Sequence, residues 1–586
     1  MTLTLRQHRI FAYALFGLLV AALAVFLIWP ILLTVAGGFL TPDGQFTLGY
    51  LTGLFHDPVV KEGLVNSLAI AAWTTLLCLL IALPLALIAT RYDFPGKTLL
   101  TGLLMVPLIL PPFVGAIGLR ALLGRFGAIN SLGVALGILD PDMPGIHFLG
   151  GPFGGGRFWS VVVVEALHLY PILYLNVTAA LANLDPALDD AATGLGAGRW
   201  RRFWRITFPL ILPGIFAGAT IVFIWSFTEL GTPLMFDYYT VTPVQIFWGV
   251  MEVEHNPRPY VLVVVMLTVA VALYLGARII FGGRGYEMKS KASIASSPRR
   301  LGVIAGIGAS LAFVGVTGLA ILPHVGVVLN SVSESGTWYR TILPDQWTAA
   351  HYREALVHSL AMDSIRNSLF YASAAMVVCV LVGMCVSYLT VRAQLRGAWI
   401  LDVLAMLPLA VPGLVLAFGY VAMTLAWPFG KGHPLEGLLS VVGAAPNPVP
   451  LLIIAYAVRR LPYVVRSVSA GLSQTAAELE DAALNLGASR ITAIRRVVMP
   501  LIMANIITGV ILVFSFAMLE VSDSLILAQK EAHFPITKAI YALFGRLGDG
   551  PFIASAMGVW AMVLLATTLV GATTMMGKRM GAIFRV

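Results

Sequence analysis

The sequence predicts an all-α polytopic membrane protein made of two tandem, parallel six-helix halves with about twelve transmembrane helices. Three observations carry that expectation. The chain is too poor in charge to build a water-facing surface, its apolar stretches are long enough to cross a bilayer, and its segments repeat along the chain. Of 586 residues, 59% are hydrophobic and only 11% charged, against roughly 45–50% and about 25% in a soluble globular protein. Apolar surface in that excess is stable only where it faces lipid.

Twelve apolar stretches follow in order. The first six lie near 10–35, 64–90, 98–121, 158–182, 210–231 and 259–282. The second six lie near 301–329, 366–391, 398–425, 448–468, 501–526 and 553–576. About 20 helical residues cover the roughly 30 Å hydrocarbon core. The first stretch, from Phe11 to about Leu33, is longer than the core of a signal peptide and reads as a retained first span. Pro107, Pro111, Pro112, Pro408 and Pro412 are expected to kink spans three and nine. The polar, basic, Ser-rich stretch Arg284–Arg300 reads as a linker. It divides the chain into a first half at 1–283, a linker at 284–300 and a second half at 301–586.

The net charge of +9 does not indicate nucleic-acid binding. Lys and Arg sit in short clusters between apolar runs rather than along one face. Arg6 and Arg9, Arg91 and Lys97, Arg199 to Arg205, Lys289 to Arg300, Arg392 and Arg396, Arg490 to Arg496, and Lys578 and Arg579 all fall on alternate loops. The positive-inside rule places those loops, and both termini, in the cytoplasm. Cys78, Cys379 and Cys385 lie inside apolar runs and read as small packing residues. The ten histidines show no metal-ligand spacing.

The two halves match residue by residue. Asn66-Ser67-Leu68 corresponds to Asn367-Ser368-Leu369, and Cys78 to Cys379, each 301 positions later. Met105 to Pro111 corresponds to Met406 to Pro412 at the same offset. Beyond a Gly-rich insertion around Gly150–Gly156 the offset becomes 291. Both copies run in the same direction, which is a parallel repeat about an axis along the membrane normal.

The loop between spans four and five, and its counterpart between ten and eleven, carry the strongest motif. Asp190-Ala191-Ala192 matches Asp481-Ala482-Ala483. Three residues then precede Gly196 and Gly487, nine more precede Ile206 and Val497, and two more precede Pro209 and Pro500. Acidic, Ala-rich sequence suits a helix start. Glycine ends a helix or admits a close backbone approach, and proline is tolerated in the first turn of the next helix. In the first copy Trp200, Phe203 and Trp204 alternate with Arg199, Arg201, Arg202 and Arg205, giving a basic helix with an interfacial face.

These two segments resemble the cytoplasmic coupling motif of ABC importer permeases: Glu-Ala-Ala, three residues, Gly, nine residues, Ile-x-Leu-Pro. Asp190 and Asp481 keep the charge of the usual Glu, and Phe208 and Met499 replace the usual Leu. The resemblance extends over nearly the whole chain, as two permease cores each preceded by an additional helix. It is closest to the fused ferric-iron importer permeases, with fused thiamine and aminophosphonate permeases near behind. The resemblance implies that Asp190, Ala191, Ala192, Gly196 and Pro209, with Asp481, Ala482, Ala483, Gly487 and Pro500, form two elements that dock two copies of an ABC ATPase. It implies that ATP and Mg sit on that partner, with no cofactor in this chain. An extracytoplasmic substrate-binding protein is expected to deliver the cargo, in a bacterial inner membrane. Ferric iron is the first expectation for that cargo; thiamine, aminophosphonate, polyamine and oxyanion are the alternatives.

The residues agree with a chain that carries no ATPase. Gly96-Lys97-Thr98 is the only echo of a phosphate-cradling loop, and Arg91 stands where its first glycine belongs. No catalytic constellation is present. Carboxylates inside spans mark a candidate path, because a membrane charge is costly. Glu229 in span five and Glu520 in span eleven correspond at offset 291, and Glu165 in span four joins them, with His168 beside it. Asp523 has no acidic counterpart, since Thr232 occupies the matching place. An ion-coupled secondary transporter is the competing class; it would carry more buried charge and need no docking loop.

Overall fold

The computed structural model describes residues 2–41, 43–109, 111–150, 156–281, 299–393 and 395–576. Most of the linker reading, 284–298, lies outside them. The fold is helical, as an apolar chain in lipid must be: a helix satisfies its own backbone polar groups where no water is available. Among the described residues, nine helices are long and apolar enough to cross a membrane, and eleven if each of two bent pairs counts as one span. The remaining expected span, 448–468, is the single 26-residue helix Val449–Gln474. It carries three arginines, Arg459, Arg460 and Arg466, along its length.

Two expected spans are corrected. Spans three and nine are broken rather than kinked. The third divides into Lys97–Leu103, Val106–Ile109 and Pro112–Leu123, and its membrane-length apolar stretch lies later than expected, at Pro112–Ala135. The ninth runs Ala398–Met406, one 3-10 turn Leu407–Leu409, then Gly413–Leu425, with a bend of 105°. Two prolines four residues apart account for this. Each removes an N–H donor and drives its ring against the carbonyl four residues earlier. Span eleven also bends, by 77° between Arg490–Leu501 and Met503–Met518.

Proline leaves a second local mark. One π-helical turn precedes Pro30, Pro209 and Pro500, at Ala24–Ile28, Phe203–Thr207 and Ile494–Val498. In each, the residue just before proline donates its N–H five residues back, to Ala24, Phe203 or Ile494. The widened turn lets the helix pass a proline that cannot close the ordinary bond.

The described residues form two compact units that are interleaved along the chain. One contains residues up to Lys61, Thr242–Leu267 and the chain from Tyr352. The other contains Glu62–Val241 and Thr268–His351. Each unit therefore combines most of one repeat with the leading helix of the other.

In the second of these units, the leading helix Val303–Val332 packs on Pro112–Leu123 of the first repeat. A methyl built on Gly118 would overlap the Pro323 carbonyl oxygen, and one on Gly326 would sit 2.6 Å from the Gly118 oxygen. Glycine opposite glycine lets two backbones touch. At the end of this helix, Arg299–Arg300 adds a two-residue parallel strand to Tyr92–Asp93, and Ser310 Oγ donates to Pro95 O at 2.8 Å. The rings of Phe94 and Phe313 pack at a tilt beside it, with centroids 5.0 Å apart. In the other unit, span one packs its Trp29–Phe39 part on Gly413–Leu425. A methyl on Gly419 would lie 2.8 Å from Pro30 O. Leu19, Leu23, Val386, Leu389, Leu401 and Val465 form the apolar core beneath it.

Gly118→Ala is expected to cost about 1–3 kcal/mol through overpacking against Pro323. A lowered thermal unfolding midpoint of the purified chain in detergent checks this, with Gly308→Ala, where the added methyl meets nothing within 4 Å, as the control.

Candidate functional site: two elbows and two polar clusters

The first elbow is built from a short helix, Pro186–Gly194, turned into the helix that enters span five. Asp185 caps its start, accepting from Ala187 N at 2.9 Å. Its end closes on two bonds: Gly196 N to Thr193 O at 2.9 Å and Ala197 N to Ala192 O at 3.0 Å. That is a Schellman cap, and it needs a left-handed residue at Gly196, whose φ is +75°. The second elbow, Glu478–Asn485, ends on the same pair: Gly487 N to Leu484 O at 3.0 Å and Ala488 N to Ala483 O at 3.1 Å, with Gly487 at φ +89°. The motif glycine is thus required by backbone conformation, and Ala192 and Ala483 supply the terminal carbonyls. Asp190 and Asp481 are exposed, as are Ala191 and Ala482. Pro209 and Pro500 each sit in the first turn of the following helix.

Sequence reasoning missed four apolar residues on these elbows. Leu195 and Leu486, at the tips, are 88% and 89% exposed. Leu188 and Leu479, seven residues earlier, are also exposed. All four keep the 291 offset, and a spacing of seven places each pair on one helix face. Their equal spacing in the two repeats was a visible signal. The elbows are braced differently. Arg202 holds Asp189 at 3.0 Å and also donates to Thr193 Oγ1. In the second, Glu480 is buried and accepts from Tyr388 at 2.5 Å.

Each unit also holds a buried polar cluster at its helix break. In the unit with spans two to five, Glu165 is 2% exposed and accepts from Ser226 Oγ, while its other oxygen has no hydrogen-bond partner among the described residues. Glu229 Oε1 accepts from the Gly231 and Thr232 amides at 3.1 and 3.2 Å, so it caps the short helix Gly231–Met235. His168 Nδ1 lies 2.7 Å from Pro107 O. That carbonyl is the one Pro111 would have bonded, had proline an N–H. A carbonyl only accepts, so Nδ1 carries the proton. Tyr170 donates to Leu104 O at 3.0 Å, and His324 Nε2 lies 3.4 Å from Pro111 O. The broken span is therefore re-bonded by side chains of its neighbours.

In the other unit, Glu520 pairs with Arg459 at 2.9 Å and with Arg460. Asp523, fully buried, lies 3.7 Å from Arg459. By the repeat, Arg459 occupies the place of His168 and Tyr456 that of Glu165. Arg459 leans on Gly413 at the break, where any side chain would collide with the guanidinium. Tyr456 bonds Ser524 at 2.6 Å. The arginine pair was not singled out from the sequence, although two adjacent arginines inside an apolar span mark a paired cluster. The equivalent cysteines behave alike: Cys78 Sγ and Cys379 Sγ contact the Ala166 and Ala457 carbonyls at 3.4 and 3.0 Å. Among the described residues no group of three or more potential metal ligands converges.

Repeated, membrane-spanning helical cores with a matched elbow in each define a transport permease. The chain belongs to the family of binding-protein-dependent transport system inner membrane components, matched at residues 79–282 and again at 379–574. It is a multi-pass inner membrane protein. It is 26% identical over 517 residues to the putative ferric transport system permease protein FbpB 1 of Haemophilus influenzae, covering 85% of this chain and 75% of that one. Similarity to the ferric transport system permease protein FbpB of Actinobacillus pleuropneumoniae is 25% over 535 residues, or 89% and 71% of the two chains. The molybdenum transport system permease protein ModB of Escherichia coli K12 is 35% identical over 175 residues, covering 30% of this chain and 71% of that one.

The two clusters respond oppositely to loss of a carboxylate. Glu520→Gln removes the carboxylate shared by two guanidiniums and is expected to cost about 3–5 kcal/mol, the range for breaking a buried pair. Glu165→Gln removes a carboxylate with no cation beside it and is expected to be neutral or stabilising. Thermal unfolding of both variants in one detergent compares them directly.

Proposed function

We propose that this chain is the membrane-spanning component of an ABC importer for ferric iron, driven by two copies of a separate ATPase that dock on its two elbows. The supporting observation is the matched geometry of the elbows. The two stretches adopt one Schellman-capped form and present the same exposed leucine pair. An exposed apolar knob on a rigid, capped helix suits a groove on a partner, and such anchors dominate binding energy when buried. Asp190 and Asp481, beside the knobs, add charge that sets orientation.

In this reading the elbows, both termini and the 284–300 linker face the cytoplasm, and 1–283 and 301–586 act as the two halves. A binding protein delivers iron from outside. ATPase closure pushes on the elbows; the first runs through its π-turn and proline directly into span five, and the second meets its membrane helix across a 77° bend. The halves then alternate between two states. Glu229, Glu520 and Glu165 are the proposed polar residues of the path. Iron as cargo rests on the ferric permeases that this chain resembles over most of its length.

Leu195→Asp with Leu486→Asp is expected to leave the unfolding midpoint unchanged and to weaken ATPase co-purification roughly 30-fold, the effect of losing a hot spot of about 2 kcal/mol. Asp190→Lys with Asp481→Lys is expected to abolish ATP-dependent uptake with intact membrane insertion. Normal uptake by either double variant would defeat the docking role. Accumulation of ferric iron is measured in cells producing the chain with its binding protein and ATPase. Accumulation of thiamine, spermidine or molybdate in its place would reassign the cargo, and uptake without ATPase would make the chain a secondary transporter.

A further inference from the structure

The first elbow carries a feature that its repeat mate lacks. Beyond the Schellman turn, Arg199, Trp200, Arg201, Trp204 and Arg205 are all exposed on the helix that becomes span five. Trp200 is 76% exposed. Its ring meets Trp204 edge-to-face with centroids 5.6 Å apart, and Trp204 meets Phe203 edge-to-face at 5.3 Å and Phe208 at a tilt at 4.9 Å. The result is an aromatic ladder that climbs toward the membrane and leaves both indoles open. Arg202 is turned away to Asp189 and Thr193. Arg199, Arg201 and Arg205 make no ion pair or side-chain hydrogen bond among the described residues. The equivalent stretch, Arg490–Met499, contains arginines but no aromatic residue.

We propose that the Arg199–Phe208 helix is a binding site for anionic phospholipid headgroups, so that one of the two elbows is anchored to the membrane surface and the other is not. Depth supports this. Trp204 precedes Phe208 by four residues, about 6 Å of helix, and Trp200 by about 12 Å. The headgroup layer on each side of the hydrocarbon core is about 5–8 Å thick, so with Phe208 at the edge of that core Trp204 falls within the layer and Trp200 a few ångströms beyond it, on its aqueous side. Indoles favour that layer because one end is apolar and the other donates a hydrogen bond. Guanidinium forks fit phosphate oxygens bidentately. The charge is complementary, the three arginines have no competing carboxylate, and the surface is continuous with a lipid-facing span. An ATPase is the other possible occupant. The leucine knobs sit before the turn, on Pro186–Gly194 and its tip, whereas the tryptophan helix leads away from that tip into the bilayer. The site depends on the function proposed above only for which leaflet it meets.

The test uses the full chain in nanodiscs of phosphatidylcholine with a fixed fraction of phosphatidylglycerol. Bromine, which quenches tryptophan, is placed on the acyl chains of one lipid or the other. The quenching owed to Trp200 and Trp204 is the difference between wild type and the Trp200→Phe, Trp204→Phe variant. That difference should be larger when phosphatidylglycerol carries the bromine, and Arg199→Gln, Arg201→Gln, Arg205→Gln should equalise the two. Each arginine removed should lower the preference roughly fivefold, from about 1 kcal/mol per basic residue at an anionic surface. Arg490→Gln, Arg495→Gln, Arg496→Gln in the other elbow should change nothing, and inorganic phosphate should not compete. Equal quenching by both lipids in wild type overturns the proposal, as does protection of these tryptophans that arises only on adding the ATPase. Neither failure touches the leucine-knob docking, which is read by co-purification.

Discussion

Proline within lipid is the constraint from which much of this architecture follows. A membrane helix that meets proline strands the carbonyl four residues earlier, and no water is at hand to satisfy it. In span one that carbonyl is Phe26, four residues before Pro30, and Tyr420 donates to it at 2.7 Å. In span three it is Pro107, four before Pro111, and His168 supplies the proton. Each orphan is met by a side chain from a different helix. The bonds that repair the breaks therefore also join the helices, and they explain why Tyr420 and His168 are polar within apolar surroundings.

The same constraint explains how the two repeats share a backbone yet differ in chemistry. The breaks, the π-turns before Pro209 and Pro500 and the cysteine-to-carbonyl contacts recur at the repeat offsets. What lies over each break does not. One unit places a histidine on a freed carbonyl and a carboxylate with one hydroxyl partner; the other places an arginine pair against Glu520 and Asp523. The backbone break is retained in both copies, whereas the side chains placed over it differ.

The elbows show the reverse economy. Their surfaces are exposed and their form is set almost entirely by local rules: a glycine at positive φ, two carbonyls with matched donors, and a proline opening the next helix. Such an element takes its shape from bonds within itself. The braces differ: Arg202 holds Asp189 within the first elbow, and Tyr388 holds Glu480 in the second from a different helix.

By itself the sequence determined the helical class, the membrane setting, the repeat and the elbows, because composition, periodicity and short-range backbone rules are local. The spacing from Ala192 through Gly196 to Pro209 is legible for the same reason: these residues serve a turn or helix start within a few positions of themselves. Only the tertiary structure decided that spans three and nine are broken, that each unit takes the leading helix of the other repeat, and that Arg459 and Arg460 sit on Glu520. Those outcomes depend on contacts such as Gly118 against Pro323, between residues some 200 positions apart. A one-dimensional pattern can show that a small residue or a charge is unusual where it stands, but which distant partner makes it stable is fixed by packing.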